Sequence, residues 1–424
     1  MKNLAKYASF LFFAVFALQM QAQETLWDRN LPNFREPDQR GINDFEATKD
    51  TTSTFDGVQV RVGGASTIQF QSLDQENDSG VALYDLEGNF NLATANLDLD
   101  VLLYDGVRMH LRTFLSSQHH TEAYVKGGYI QIDKLDFISE GFAQGLMEHM
   151  RIKIGHMENN YGDAHFRRTD NAMALYNPFV GNYLMDSYTT EVGAEVYGFG
   201  GPWFGMLGFT NGKLNQSTAG DGETHPSFLA KFGYDNQFSD DFRFRLSASL
   251  FTSGHNYGRG NYLYTGDRAG SRYYNVMSNK DGGDGFRSGR IAPSFKNEMT
   301  SFMINPFLKY GGLEFFGIFE TSTGKDKGES DTRNYTQLSG ELIYRFGAEE
   351  DFYLGARYNT VTGDLTDTNE ISVDRFQLGG GWFMTKNILA KLEYVNQDYN
   401  DYSAGDIHEG GNFNGITLEA AISF

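Results

Sequence analysis

The last thirteen residues, Asn412 to Phe424, read NFNGITLEAAISF. Counting back from Phe424 by twos gives Ile422, Ala420, Leu418 and Ile416, and the other set is Ser423, Ala421, Glu419, Thr417 and Gly415. A period of two sends the apolar and the small or polar set to opposite faces of one strand. A soluble sandwich strand carries the same alternation. Its meaning here comes from its repetition upstream and from the way the chain begins.

Lys2 and Lys6 are followed by an almost unbroken apolar run from Ala8 to Leu18. That run is too short to span a bilayer and matches the core of a secretory signal, with cleavage expected after Ala22. A buried amino-terminal helix is the competing reading, which the polarity after Gln21 disfavours. No later stretch approaches the ~20 apolar residues of a transmembrane helix. The chain holds 49 glycines, 7 prolines and no cysteine, so neither a disulfide framework nor a lipoprotein anchor is expected. Its hydrophobic content of 40% is low for a helical membrane protein and suits a barrel, in which every second residue faces lipid. A net charge of −20 disfavours nucleic acid as a partner.

From Phe55 onward, segments of about ten residues alternate with turn-rich stretches. One apolar phase is Val58-Val60-Val62, continued by Ile68-Phe70, and the next is Leu97-Leu99-Val101-Leu103. Asp105-Gly106 then supplies a hairpin turn into Val107-Met109-Leu111, whose other face is Arg108, His110 and Arg112. The pattern recurs to the carboxy terminus and predicts an all-β antiparallel transmembrane barrel of about sixteen strands over 57–424. Links such as Asp105-Gly106, Gly311-Gly312 and Thr385–Asn387 are short and predicted to be periplasmic. Gly212–Glu223, Gly254–Asn297, Gly324–Arg333, Gly363–Glu370 and Asp401–Gly411 are predicted to be long outer loops. Residues 23–56 lack periodicity and read as a periplasmic extension, with a short plug as the variant.

The parity that turns apolar residues outward turns basic residues inward: Arg61, Arg108, Arg112, Arg151, Lys153, Lys231, Arg243, Arg245, Arg345, Arg357, Arg375 and Lys391. The acids of that phase are Asp98, Asp100, Glu195, Glu314, Glu320, Glu341, Glu393 and Glu419. Twelve against eight, in an acidic chain, predicts a lumen that prefers anions. The other reading is that these groups pair across the wall and hold it rigid.

Glu158 to Thr190 does not alternate, and its aromatic content marks it as a folded loop that narrows the lumen, with Arg167 and Arg168 at the constriction. An outward cap or an oligomer contact is the alternative. The run His165-Phe166-Arg167-Arg168-Thr169-Asp170-Asn171, with Asn177-Pro178-Phe179 and Asn182-Tyr183, resembles porins of Bacteroidetes-type bacteria related to the phosphate-selective porin O and P family. Gly381 to Asn387, Lys391 to Asn396 and Phe413 to Phe424 are similar too. The resemblance implies a sixteen-stranded, trimeric, passive channel for small hydrophilic solutes or anions, set in outer-membrane lipid. It also implies that the terminal Phe is read by the barrel-assembly machinery. The basic set is sparser than the arginine ladder of phosphate-selective members.

No HExxH, GxSxG or P-loop pattern appears among the nine histidines and their surroundings, so neither enzyme chemistry nor a cofactor is expected. Asn279 to Gly285 has oxygen ligands suited to Ca²⁺, but its spacing is not that of an EF-hand and a solvated loop tip is favoured, so no metal is assigned. A non-conducting barrel serving as an adhesin or accessory envelope component is the remaining alternative to a pore.

Overall fold

In the computed structural model the described residues are 31–424 apart from 48, 51–54, 117–122, 170, 212–224, 255–261, 266–268, 283–284, 286 and 367–368. The chain divides into Met1–Leu31 and Pro32–Phe424, and every strand lies in the second unit. The strands are β1 (Gln59–Glu76), β2 (Asn89–Tyr104), β3 (Val107–Ser116), β4 (Tyr124–Ile132), β5 (Met150–Glu158) and β6 (Thr190–Gly200). They continue with β7 (Trp203–Thr210), β8 (Ser227–Gln237), β9 (Phe242–Ser253), β10 (Glu298–Tyr310) and β11 (Leu313–Lys325). The last five are β12 (Arg333–Phe346), β13 (Phe352–Thr366), β14 (Asn369–Thr385), β15 (Ile388–Asn400) and β16 (Asn412–Ser423).

Each strand pairs antiparallel with its neighbours in sequence, and β16 closes on β1 from Ser423↔Ala65 to Asn412↔Glu76. Closure leaves no edge strand, so the backbone ladder of the wall is satisfied between strands rather than by water. The parity of the last strand is realised directly: Ile416, Leu418 and Ile422 are exposed, whereas Thr417, Glu419 and Ala421 are buried. An apolar outside and a polar inside is the reverse of a soluble protein and fits a wall facing lipid. Aromatic rings girdle the short-turn end, as in Trp203–Tyr234 (4.9 Å), Phe238–Phe242 (5.4 Å), Phe346–Phe352 (5.7 Å) and Phe352–Trp382 (6.0 Å). Such rings anchor a barrel at the headgroup level.

The hairpin at Asp105-Gly106 is tight because Gly106 adopts φ +67°, a left-handed conformation that glycine enters without steric cost. Two links depart from expectation. Between β13 and β14 pairing continues to Thr366↔Asn369, so the long loop expected at Gly363–Glu370 is mostly ladder. Its outward residues Asp364, Glu370 and Ser372 are polar, so the hairpin can extend past the lipid without loss. On the short-turn side, residues 133–149 form a long link with a helical turn at Gln144–Met147.

Candidate functional site

Three segments fill much of the barrel. The amino-terminal segment from Asn33 to Asp50 is bonded to the wall at the short-turn end. Gln39 N donates to Lys386 O (2.8 Å), Asn43 Nδ2 to Glu314 (2.6 Å) and Lys49 Nζ to Asp133 O (2.7 Å). Residues 23–56 were expected as a periplasmic extension; the part from Asn33 to Asp50 sits within the barrel mouth, because its polar groups match the inward charges there. The β5–β6 loop, which spans the expected constriction at 158–190, is the second segment. The β9–β10 loop is the third, and its infolding departs from the outer loop expected at Gly254–Asn297. Arg272 in that loop is fully buried against Glu419, and the Tyr273 hydroxyl donates to Glu393 (2.6 Å). The two loops meet through a parallel bridge, Met185↔Ile291.

One dense charge cluster joins the amino-terminal segment and the β5–β6 loop to the wall. Arg245 on β9 donates twice to Asp163 of the β5–β6 loop (both 2.8 Å) and once to Glu46 of the amino-terminal segment (2.6 Å). Lys231 on β8 lies 2.7 Å from Asp163 and 2.8 Å from Glu46, and Ser247 donates to Asp163 (2.7 Å). Burial alone would raise the Glu46 carboxyl, but the charges of Arg245 and Lys231 outweigh it and hold the group at about 2, against an ordinary 4.5. A carboxylate held low in the folded state contributes stability that is complete above its ordinary range and is lost as pH falls towards the lowered value. Conductance is therefore expected to stay level from neutrality past pH 4.5, with the segment released only as pH approaches 2. A step in single-channel current near 4.5 would contradict the pairing of Glu46.

Most of the sequence-predicted basic residues are spent in such struts. Arg243 pairs with Asp235 (2.8 and 2.7 Å), Arg345 with Glu314 (2.8 Å) and Arg168 with Asp186 (both 2.6 Å). Arg167 bonds Asn43 and lies 3.5 Å from Glu341. Arg357 bonds Glu341 (2.9 Å) between the rings of Phe179 and Tyr183. Arg375 donates to Gln397 and to Asn182 O (both 2.6 Å). These six tie neighbouring strands of the wall to each other, or infolded segments to the wall and to themselves, which is the pairing alternative the parity left open.

The remaining four, Arg108, Arg112, Arg151 and Lys153, come together elsewhere. They line a cavity of about 180 Å³, hereafter the shaft, between the wall of β1–β6 and the two infolded segments nearest to it, the amino-terminal segment and the β5–β6 loop. Arg35, Arg61 and Lys126 join them, with Glu46, Asp98, Asp100 and Glu158 as the acids: seven cationic side chains against four. Arg112 is held by Asp98 (2.8 and 2.7 Å), and Arg108 by Asp100 (3.4 Å) and Gln131 (2.8 Å). Arg151 bonds Asp133 (2.9 Å) and Asn33 (3.0 Å). Lys153 differs: it lies over the rings of Tyr129 (5.5 Å) and Tyr197 (5.2 Å), with no carboxylate partner among the described residues.

Parity reading missed Lys126. The β3–β4 register slips between Arg112 and Thr113, and the extra residue on β4 turns both Lys126 and Gly127 inward. The residues Arg35 and Glu46 carry no periodic signal at all. Around Asn279, the side chain accepts from Asp281 N (2.9 Å), while Gly283 and Asp284 lie outside the described residues. Among the described residues no three His, Asp or Glu side chains gather as metal ligands.

A closed sixteen-stranded barrel with an apolar exterior, an aromatic girdle and a charged lumen narrowed by infolded loops is an outer-membrane barrel of the porin fold. The chain is similar in fold to the anion-selective porin from Comamonas acidovorans, with a TM-score of 0.57 at 10% identity over 87% of this chain and 100% of that one. It is also similar to the outer membrane channel DcaP of Acinetobacter baumannii, with a TM-score of 0.51 at 13% identity over 87% and 98%. OprB of Pseudomonas putida gives a TM-score of 0.51 at 13% identity over 87% and 94%. No protein-family profile and no curated protein matches the chain in sequence. Such low identities are compatible with one fold because the wall asks only for alternation and closure, which many sequences satisfy.

Proposed function

We propose that this chain is a porin that passes small hydrophilic solutes passively across the outer membrane, with a preference for anions. The observation that carries the reading is the shaft, where cationic side chains outnumber carboxylates and Lys153 keeps its charge uncompensated among the described residues. Low-dielectric walls concentrate the field of such charges on a passing ion. Phosphate-like anions belong to the favoured class, in line with the resemblance to phosphate-selective porins O and P. Residues 1–22 would act as the export signal, Phe424 would be read by the barrel-assembly machinery, and the channel would work as a homotrimer. One fold neighbour, OmpT of Vibrio cholerae, is described in a trimer form.

The test is the reversal potential in a KCl gradient across a planar bilayer, where anion selectivity is expected and cation selectivity would refute the preference. The path has its own test at Gly127, which faces the shaft. A Cβ there meets His110 and Arg112 at 3.6–3.7 Å, ordinary contact distances. Gly127→Ala is expected to conduct as the parent does, and Gly127→Trp to lose most of the current; equal currents would place the path elsewhere. A second reading, a non-conducting barrel with an adhesive or accessory role, is favoured by the extent to which the three segments fill the lumen. Absence of any channel current in bilayers would select it.

A further inference from the structure

Three inward side chains at one level of the shaft keep polar valences that the fold does not use. His110 on β3 and Tyr129 on β4 are cross-strand partners with ring centroids 5.2 Å apart. Lys153, on the next strand, lies 5.5 Å from the centre of the Tyr129 ring. His110 Nδ1 is 2.8 Å from Asp100. With Nδ1–H donating to that carboxylate, the neutral imidazole presents Nε2 as a bare acceptor. The Lys153 ammonium and the Tyr129 hydroxyl have no hydrogen-bond partner among the described residues, and neither residue is fully buried.

Resting on the reading of the shaft as the solute path, we propose that His110, Tyr129 and Lys153 form a binding station for a small polyhydroxylated carboxylate, a sugar acid. The carboxylate meets the Lys153 ammonium, the C–H face of the ring lies on Tyr129, and a sugar hydroxyl donates to His110 Nε2. The three groups differ in kind, which selects the class. A compact inorganic oxyanion uses the ammonium but has no apolar face for the ring. A neutral sugar uses ring and imidazole but leaves the ammonium without a counter-charge. A sugar acid engages all three.

The test is open-channel block of the full-length protein in a planar bilayer, with glucuronate, acetate, inorganic phosphate and glucose added separately. Glucuronate is expected to interrupt the current at concentrations about tenfold or more below those at which the other three act, the scale of one charge-assisted hydrogen bond against glucose and of the ring contact plus the His110 bond against acetate and phosphate. Lys153→Gln is expected to bring the glucuronate value up to that of glucose. Tyr129→Ala is expected to weaken block by glucuronate severalfold while block by inorganic phosphate, which does not use the ring, keeps its parent concentration, a split that a merely structural role for the ring would not produce. Block by phosphate or acetate as strong as by glucuronate overturns the assignment, as does a Lys153→Gln channel blocked like the parent. Cation selectivity in KCl would instead overturn the anion-preferring reading. Calorimetric titration with glucuronate in detergent separates the two failures: heat that is lost in Lys153→Gln supports the station even where no current flows, and no heat overturns it.

Discussion

Deletion of residues 33–50 is expected to raise single-channel conductance severalfold while the barrel stays closed. The segment contributes no strand, so the β1–β16 seam from Ala65↔Ser423 upward does not depend on it. Its removal takes Glu46 from Arg245 and Lys231, Asn43 from Glu314, and Phe45 from its edge-to-face contacts with Phe166 (5.8 Å) and Phe307 (5.4 Å). The wall cations left behind face water admitted from the short-turn end, so their desolvation cost falls as their partners go. A sixteen-stranded wall encloses an aqueous channel when little fills it. The measurement is conductance in bilayers, with heat-modifiable gel migration to report the folded barrel. Unchanged conductance in a folded barrel would mean that the β5–β6 and β9–β10 loops alone set the aperture.

Asp163→Ala is expected to destabilise the protein by about 3–5 kcal/mol, the cost of removing one partner from a buried ion cluster. Asp163 is fully buried and receives Arg245 twice, Lys231 and Ser247. The loss leaves Lys231 and Arg245 with Glu46 and with Asp235, which lies 3.0 Å from Arg245 and is already shared with Arg243. Asp163→Asn preserves the shape and one acceptor, so a smaller loss is expected from it. Urea denaturation followed by the heat-modifiable shift reads both. A cost under about 1 kcal/mol for the alanine variant, the range of exposed pairs, would show that the loop is pinned elsewhere.

The barrel was legible because its rule is local. Val58 to Val62, Leu97 to Leu103 and Ile416 to Ile422 each announce a lipid-facing phase over a handful of residues, and pairing of consecutive strands follows from the short hairpins. The parity of the inward phase was legible too: Arg108, Arg151, Arg245, Arg345, Arg357 and Arg375 are buried, Arg112 and Lys153 line the shaft, and Arg243 bonds Asn43 O of the infolded segment. Their roles were not. Whether a lumen cation meets solute or a strut depends on where loops return, and period-two patterning is silent on that. A single bulge hid Lys126, since one inserted residue shifts the parity of everything on its far side. The infolding of the β9–β10 loop was hidden as well, since its polar residues suit water and the Glu419 and Glu393 carboxylates equally.

By itself, then, the sequence determined a closed, antiparallel wall with apolar residues outside and an expected basic excess on its inner face. The tertiary structure alone decided where that excess remains. Glu46 and Arg245 are 199 residues apart in the chain and 2.6 Å apart in space. Alternation is a property of neighbours along one strand, whereas cancellation of charge is summed over everything that enters the lumen. That sum consumes the cations on the β8–β14 side and leaves the shaft beside β1–β6 positive.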